Sequence, residues 1–141
     1  MIRGKPLSPD VVGRLGSLGQ ALERCPAVVF AYLFGGAAAG RLTPLSDVDV
    51  AVYLDPAADP VAARLRAHEA AVHHLVTDEV DLVVLNSAPT ALVGRILTGR
   101  RVILDRDPFL RHRFESLAMR EFADFRIFER TLLERRARSG R

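Results

Sequence analysis

Two kinds of apolar pattern alternate along the chain. From Ser8 to about Arg24, Val11, Leu15, Leu18 and Leu22 recur at three- and four-residue spacing, which is one face of a helix. Ser8 suits the N-cap of that helix and Pro9 its first turn, and Cys25-Pro26 ends it. "AVVFAYLF", Ala27 to Phe34, is β-branched and aromatic and predicts a buried strand that Gly35-Gly36 breaks. "AAAGRLTPL" predicts a short helical turn closed at Gly40, then a loop through Thr43-Pro44. "DVDVAVYL", Asp47 to Leu54, predicts a second strand that Asp55-Pro56 stops. Pro60 to about Val76 reads as a helix, with Val61, Leu65, Ala71, Val72 and Leu75 on its apolar side. "VDLVVL", Val80 to Leu85, is a third strand, and Thr90 to Leu97 a helix with Gly99 just past its end. "RVIL" is a short fourth strand, and one long helix runs from Asp107 to about Arg136. Strands alternating with helices predict an α/β (α+β) domain, a mixed sheet with helices packed on it.

Within the second strand, residues two apart share a face. Val48, Val50, Val52 and Leu54 make a core face; Asp47, Asp49, Ala51 and Tyr53 make the other. Two carboxylates therefore stand side by side where the strand begins. Their repulsion in a partly dry site is costly, and a divalent cation relieves it. Mg²⁺ prefers carboxylate oxygens and keeps waters for substrate phosphates. Asp81 opens the third strand, with Val80, Leu82 and Val84 alternating to the core, so a neighbouring third strand would bring three carboxylates to one edge. The ordinary alternative is a turn-capping Asp47 and a solvent-facing Asp49. Gly35-Gly36 ends a strand just before a short helix, where free backbone N–H groups can receive a phosphate. Two metal ions at such a site stabilise the attacking and leaving oxygens of an in-line displacement at phosphorus, with pyrophosphate leaving towards Gly35-Gly36.

The 141 residues suit one domain, 1–141, with a sizeable core. Hydrophobic residues make 49% and charged residues 26%, as in ordinary globular proteins. "MIRGKPLSPD" has no apolar signal segment, no run is long enough to span a bilayer, and the single Cys25 excludes an internal disulfide. A reducing cytoplasm is the expected compartment. Net charge is +3, and every basic residue but Lys5 is arginine, scattered along the chain; that gives no strong nucleic-acid signal.

"GGAAAGRLTPLSDVDV" is similar to the G-S-x10-D-x-D signature of the polymerase-beta-type nucleotidyltransferase superfamily. "SDVDVAV" matches its second-strand motif, and Asp81 falls where these proteins carry a third carboxylate. "LNSAPTALVGRILTGRRVILDRD" followed by an aromatic terminal helix resembles the small antitoxin-type members, the minimal nucleotidyltransferases. The resemblance implies Mg²⁺ and ATP as cofactor and substrate. It implies metal-binding and catalytic roles for Asp47, Asp49 and Asp81, and nucleotide contacts at Gly35, Gly36 and Ser46. It further implies AMP transfer to a tyrosine of a HEPN-type ribonuclease toxin. Gly36 stands where the family has serine, which removes one hydroxyl contact to the triphosphate. Two other readings stay open: a catalytically silent module that neutralises a partner by contact, and a small-molecule enzyme of the aminoglycoside-modifying kind, which would need a further acceptor domain.

His68, His73, His74 and His112 are not spaced as ligands and read as surface or packing residues; Cys25 reads as a small buried hydrophobe. Phe114, Leu117, Phe122, Phe125, Phe128 and Leu132 form a broad stripe on the last helix, with Leu110, Met119, Ile127 and Leu133 beside it. That is more than one packing face needs, so the helix is expected to contact a partner or a second copy.

Overall fold

The structure is a computed structural model and describes residues 9–40 and 47–139. Four strands form one mixed sheet in the order β3-β2-β1-β4, where β1 is Val28–Phe34, β2 Val48–Leu54, β3 Val80–Val84 and β4 Arg101–Asp105. β1 runs antiparallel to both β2 and β4, and β2 runs parallel to β3. β1, one of the two inner strands, is buried on both faces, which is why its sequence is apolar without alternation.

Helices cover both faces. α1 (Pro9–Leu15), α2 (Leu18–Glu23) and α4 (Pro60–Leu75) lie on one side, where Val11, Leu18, Leu22, Ala67, Ala71 and Leu75 meet Val48, Val50, Val52 and Leu82. α5 (Thr90–Thr98) and α6 (Pro108–Ser139) lie on the other, where Val93, Ile96, Leu97 and Ala118 meet Phe30, Tyr32 and Ala51. α3 (Gly35–Ala38) is a single turn between β1 and the segment leading to β2.

The expected first helix is two helices. Gly16 and Ser17 interrupt it, and Ser17 Oγ donates to the Arg14 carbonyl at 3.3 Å, a local bond that competes with the helical ladder. His74 Nε2 lies 2.8 Å from Ser17 Oγ and 3.1 Å from the Arg14 carbonyl, so α4 holds the break in place. His68 Nε2 meets the Val80 carbonyl at 3.2 Å, and Arg64 donates to the Leu82 carbonyl at 3.4 Å; both screen the open edge of β3. Cys25 is buried, as expected.

α4 ends at Leu75 rather than Val76, because Val76 adopts the left-handed conformation, φ 56°, that closes the helix. α6 runs on to Ser139 instead of stopping near Arg136, since nothing in "RRARS" breaks a helix. The expected cap at Ser8 and the Thr43-Pro44 loop lie outside the described residues.

Candidate active site

The polar side of β2 faces the α5/α6 layer. Ala51 and Tyr53 are buried or half-buried there, and Asp47 and Asp49 occupy the same side where the strand begins. In the parallel pairing Asp49 stands directly beside Asp81, and in the antiparallel pairing directly beside Phe34. Phe34, Asp49 and Asp81 thus form one row across three strands, at a spacing of about 4.8 Å per strand. The register comes from the buried faces: Val48, Val50 and Val52 align with Val80, Leu82 and Val84, and a one-residue slip would bury both aspartates.

Asp49 is half-buried, Asp47 similarly so, and Asp81 is exposed. Burial pushes the Asp49 carboxyl up to about 6, and the neighbouring charges of Asp81 and Asp47 push in the same direction. All three carboxylates therefore share one field. Among the described residues no group of three Asp, Glu, His or Cys side chains is arranged, as it stands, to hold a single metal ion. Strand register sets the backbone positions but leaves the carboxylate rotamers open. The chemistry of the donor set fits a divalent cation: a half-buried carboxylate beside two like charges gains most from a doubly charged counter-ion.

Gly35 lies against the Asp49 carboxylate. Its φ is +65°, and a Cβ there would overlap the Asp49 carboxylate oxygen Oδ2. Glycine is thus required twice, by conformation and by space. Gly35 and Gly36 are the first residues of α3 rather than a turn preceding it. Ser46 lies outside the described residues.

A second polar group, not foreseen from the sequence, pins α6 beside this site. The Tyr32 hydroxyl donates to Glu115 Oε2 at 2.7 Å; Arg100 Nε and an Arg111 terminal nitrogen each donate to the same oxygen at 3.0 Å. Arg111 Nε also donates to Asp105 at 2.8 Å, and Arg100 lies over the Tyr32 ring. Burial, and then the bond to Glu115, hold the Tyr32 phenol well above its ordinary range. Burial would raise Glu115, but the bonds from Arg100, Tyr32 and Arg111 outweigh it and hold that carboxyl low. Asn86 adds a two-point clamp on Leu54, accepting from its N–H and donating to its carbonyl, both at 2.8 Å.

A mixed sheet that carries D-x-D at one strand start, a third carboxylate on the parallel neighbour and a glycine turn against them defines a nucleotidyl-transfer class of site. The family model "Polymerase beta, Nucleotidyltransferase" matches residues 17–109. The chain belongs to that family and is a nucleotidyltransferase. Its fold is also that of several solved antitoxins. It is similar to a chain of a toxin–antitoxin structure with AMP-PNP, at 22% identity and TM-score 0.67, covering 87% of this chain and 95% of that one. It is similar to a chain from a mutant MntA toxin–antitoxin structure, at 21% identity and TM-score 0.68, covering 87% and 95%. A third is from a tri-AMPylated Shewanella oneidensis HEPN toxin in complex with an MNT antitoxin, at 20% identity and TM-score 0.65, covering 86% and 93%. No curated protein sequence matches the chain. No described helix is long and apolar enough to cross a membrane.

Proposed function

We propose that this chain is an antitoxin-type adenylyltransferase that moves AMP from ATP to a hydroxyl, a tyrosine, of a partner HEPN toxin in the cytoplasm. The observation that carries the reading is the register pair Asp49–Asp81, with Asp47 on the same face and Gly35 flush against Asp49. Two solved structures of the same fold support the reading, one with AMP-PNP and one of a tri-AMPylated HEPN toxin with its MNT antitoxin.

Asp47 and Asp49 would hold Mg²⁺, one or two ions, and Asp81 would complete the set. When bound, the metal supplies charge neutralisation at the phosphate oxygens. The remaining work belongs to the chain. Gly35 and Gly36 offer backbone N–H groups and no side chain, so the β- and γ-phosphates approach closely. Asp81, the most exposed of the three carboxylates, takes the proton of the acceptor hydroxyl. The acceptor oxygen forms its bond to the α-phosphorus as the bond from that phosphorus to the bridging oxygen breaks, and pyrophosphate leaves with the electron pair. The site's contribution is positioning and charge neutralisation.

Gly36 favours a second reading, a silent antitoxin that works by contact. One missing hydroxyl bond weakens nucleotide binding by about 0.5–1.5 kcal/mol, roughly two- to tenfold, which is a tax rather than a veto. Incubation with ATP, Mg²⁺ and the HEPN-type protein of the same genome separates the two. AMP on a toxin tyrosine supports transfer, whereas a stable complex without AMP supports the silent module. AMP only on a small hydroxyl compound contradicts both.

A further inference from the structure

Gly19, Gly35 and Gly94 each come too close to another part of the chain to carry a side chain, and Gly35 differs from the other two. At Gly19 a Cβ would overlap the Ile103 carbonyl, and at Gly94 the Phe122 ring; both let a helix pack closely. At Gly35 it would overlap the Asp49 carboxylate oxygen Oδ2, while the Asp49 Cγ and Cβ would stand at 3.4 and 3.7 Å, the range of ordinary contact. The chain is extended at Phe34, φ −144°, and turns at Gly35, φ +65°, into α3. Phe34 pairs with Asp49 on one side of β2, and Asp81 pairs with it on the other. The turn therefore sets the Gly35 α-carbon against the carboxylate of the strand residue that pairs with Phe34. A positive φ does not by itself bring a glycine against another group: Gly40, φ +70°, has no atom within 4 Å of its Cβ position.

We infer that the empty side-chain position of Gly35 is a seat for the Asp49 carboxylate, which makes Gly35 a positioning residue for the cation-binding group as well as a backbone contact for phosphate. Its purpose rests on the cation site proposed above. Strand register leaves the Asp49 rotamer open, and the seat selects one by giving Oδ2 a place that no other residue type leaves free. A methyl group at position 35 would drive the carboxylate off the turn, and the strand on its other side carries Asp81, a like charge. The loss then falls on affinity for the divalent cation. A glycine that served phosphate alone would lose affinity for the nucleotide alone.

Titration with Mn²⁺ in the absence of nucleotide, read by electron paramagnetic resonance, tests the seat. Gly40→Ala carries the strain of a positive φ alone and should bind Mn²⁺ as the parent does. Gly35→Ala should bind it roughly 10–100-fold more weakly, as when a group that orients a metal ligand is lost. A metal-free cycle in urea gives a second readout. Asp49→Ala keeps the Cβ and removes the carboxylate. In that background Gly35→Ala should lower the urea midpoint no more than Gly40→Ala does, and in the parent background it should lower it clearly more. Gly35→Ala that binds Mn²⁺ as Gly40→Ala does overturns the inference. So does an equal loss of midpoint in both backgrounds, or a failure of Gly35→Ala to fold in both; failure in the parent background alone supports it. A parent that binds no Mn²⁺ overturns the proposed cation site and with it the purpose of the seat, whereas a parent that binds Mn²⁺ with an uncoupled urea cycle overturns the seat alone.

Discussion

Replacing Asp49 by asparagine should stabilise the metal-free protein, although the same change should disable the proposed site. Burial, then Asp81 and Asp47, push the Asp49 carboxyl up to about 6 in the folded chain. In the unfolded chain it titrates near 3.9. A raised folded-state pKa means that the native protein holds this proton more tightly than the unfolded chain does. The resulting stabilisation is complete below about pH 4 and is lost as pH rises through about 6, so at neutral pH the ionised group opposes folding relative to a neutral one. A gap of about two pKa units corresponds to about 3 kcal/mol at 1.36 kcal/mol per unit. Asp49 is only half-buried, so solvent screening reduces that to roughly 1–2 kcal/mol. Urea denaturation in EDTA tests it. Asp49→Asn should exceed the parent by roughly 1–2 kcal/mol at pH 8, with an unchanged m-value, and by nothing measurable at pH 4. Equal stability at pH 8, or an advantage of the same size at pH 4, would refute the claim that like charges and burial strain this carboxylate. Saturating Mg²⁺ and ATP should reverse the order, because only the parent retains the full acidic set.

Other substitutions test the supporting structure. Gly35→Ala forces a side chain into the Asp49 carboxylate at a left-handed position; transfer should fall at least a hundredfold, with a loss of about 1–2 kcal/mol in stability. Glu115→Gln removes the charge that three donors share and should cost about 2 kcal/mol by thermal melting. Gly94→Val would wedge α5 from Phe122 and should cost about 2–3 kcal/mol, read as a lower urea midpoint.

The strands and the face assignment within β2 were legible because alternation is a local signal: Val48, Val50 and Val52 state which side is buried, so Asp47 and Asp49 must lie on the other. The pairing of Asp81 with Asp49 needed one assumption, that β3 neighbours β2, and the sheet order satisfies it. Contacts between residues distant in sequence could not be read this way. Tyr32 and Glu115 are 83 residues apart, and nothing local to either marks a bond. The close approach of Gly35 to Asp49 Oδ2, which leaves no room for a Cβ, depends on how α3 turns back over β2, and a glycine pair does not specify that. The break at Gly16-Ser17 was hidden because the apolar spacing runs through it; His74, from a different helix, favours the broken form. The surplus of apolar residues on α6 was visible in the sequence, but the uncovered length past Phe122 emerges only once α5 is in place.

The central claim is that a shared acidic field at the start of β2 and β3 exists to handle a nucleoside triphosphate. Intact-mass spectrometry of the toxin after incubation with ATP, Mg²⁺ and this protein tests it most directly. The account predicts AMP-sized increments with the parent chain and none with Asp47→Asn, Asp49→Asn. Equal modification by parent and double variant, or none by either in a complex that still forms, would contradict it.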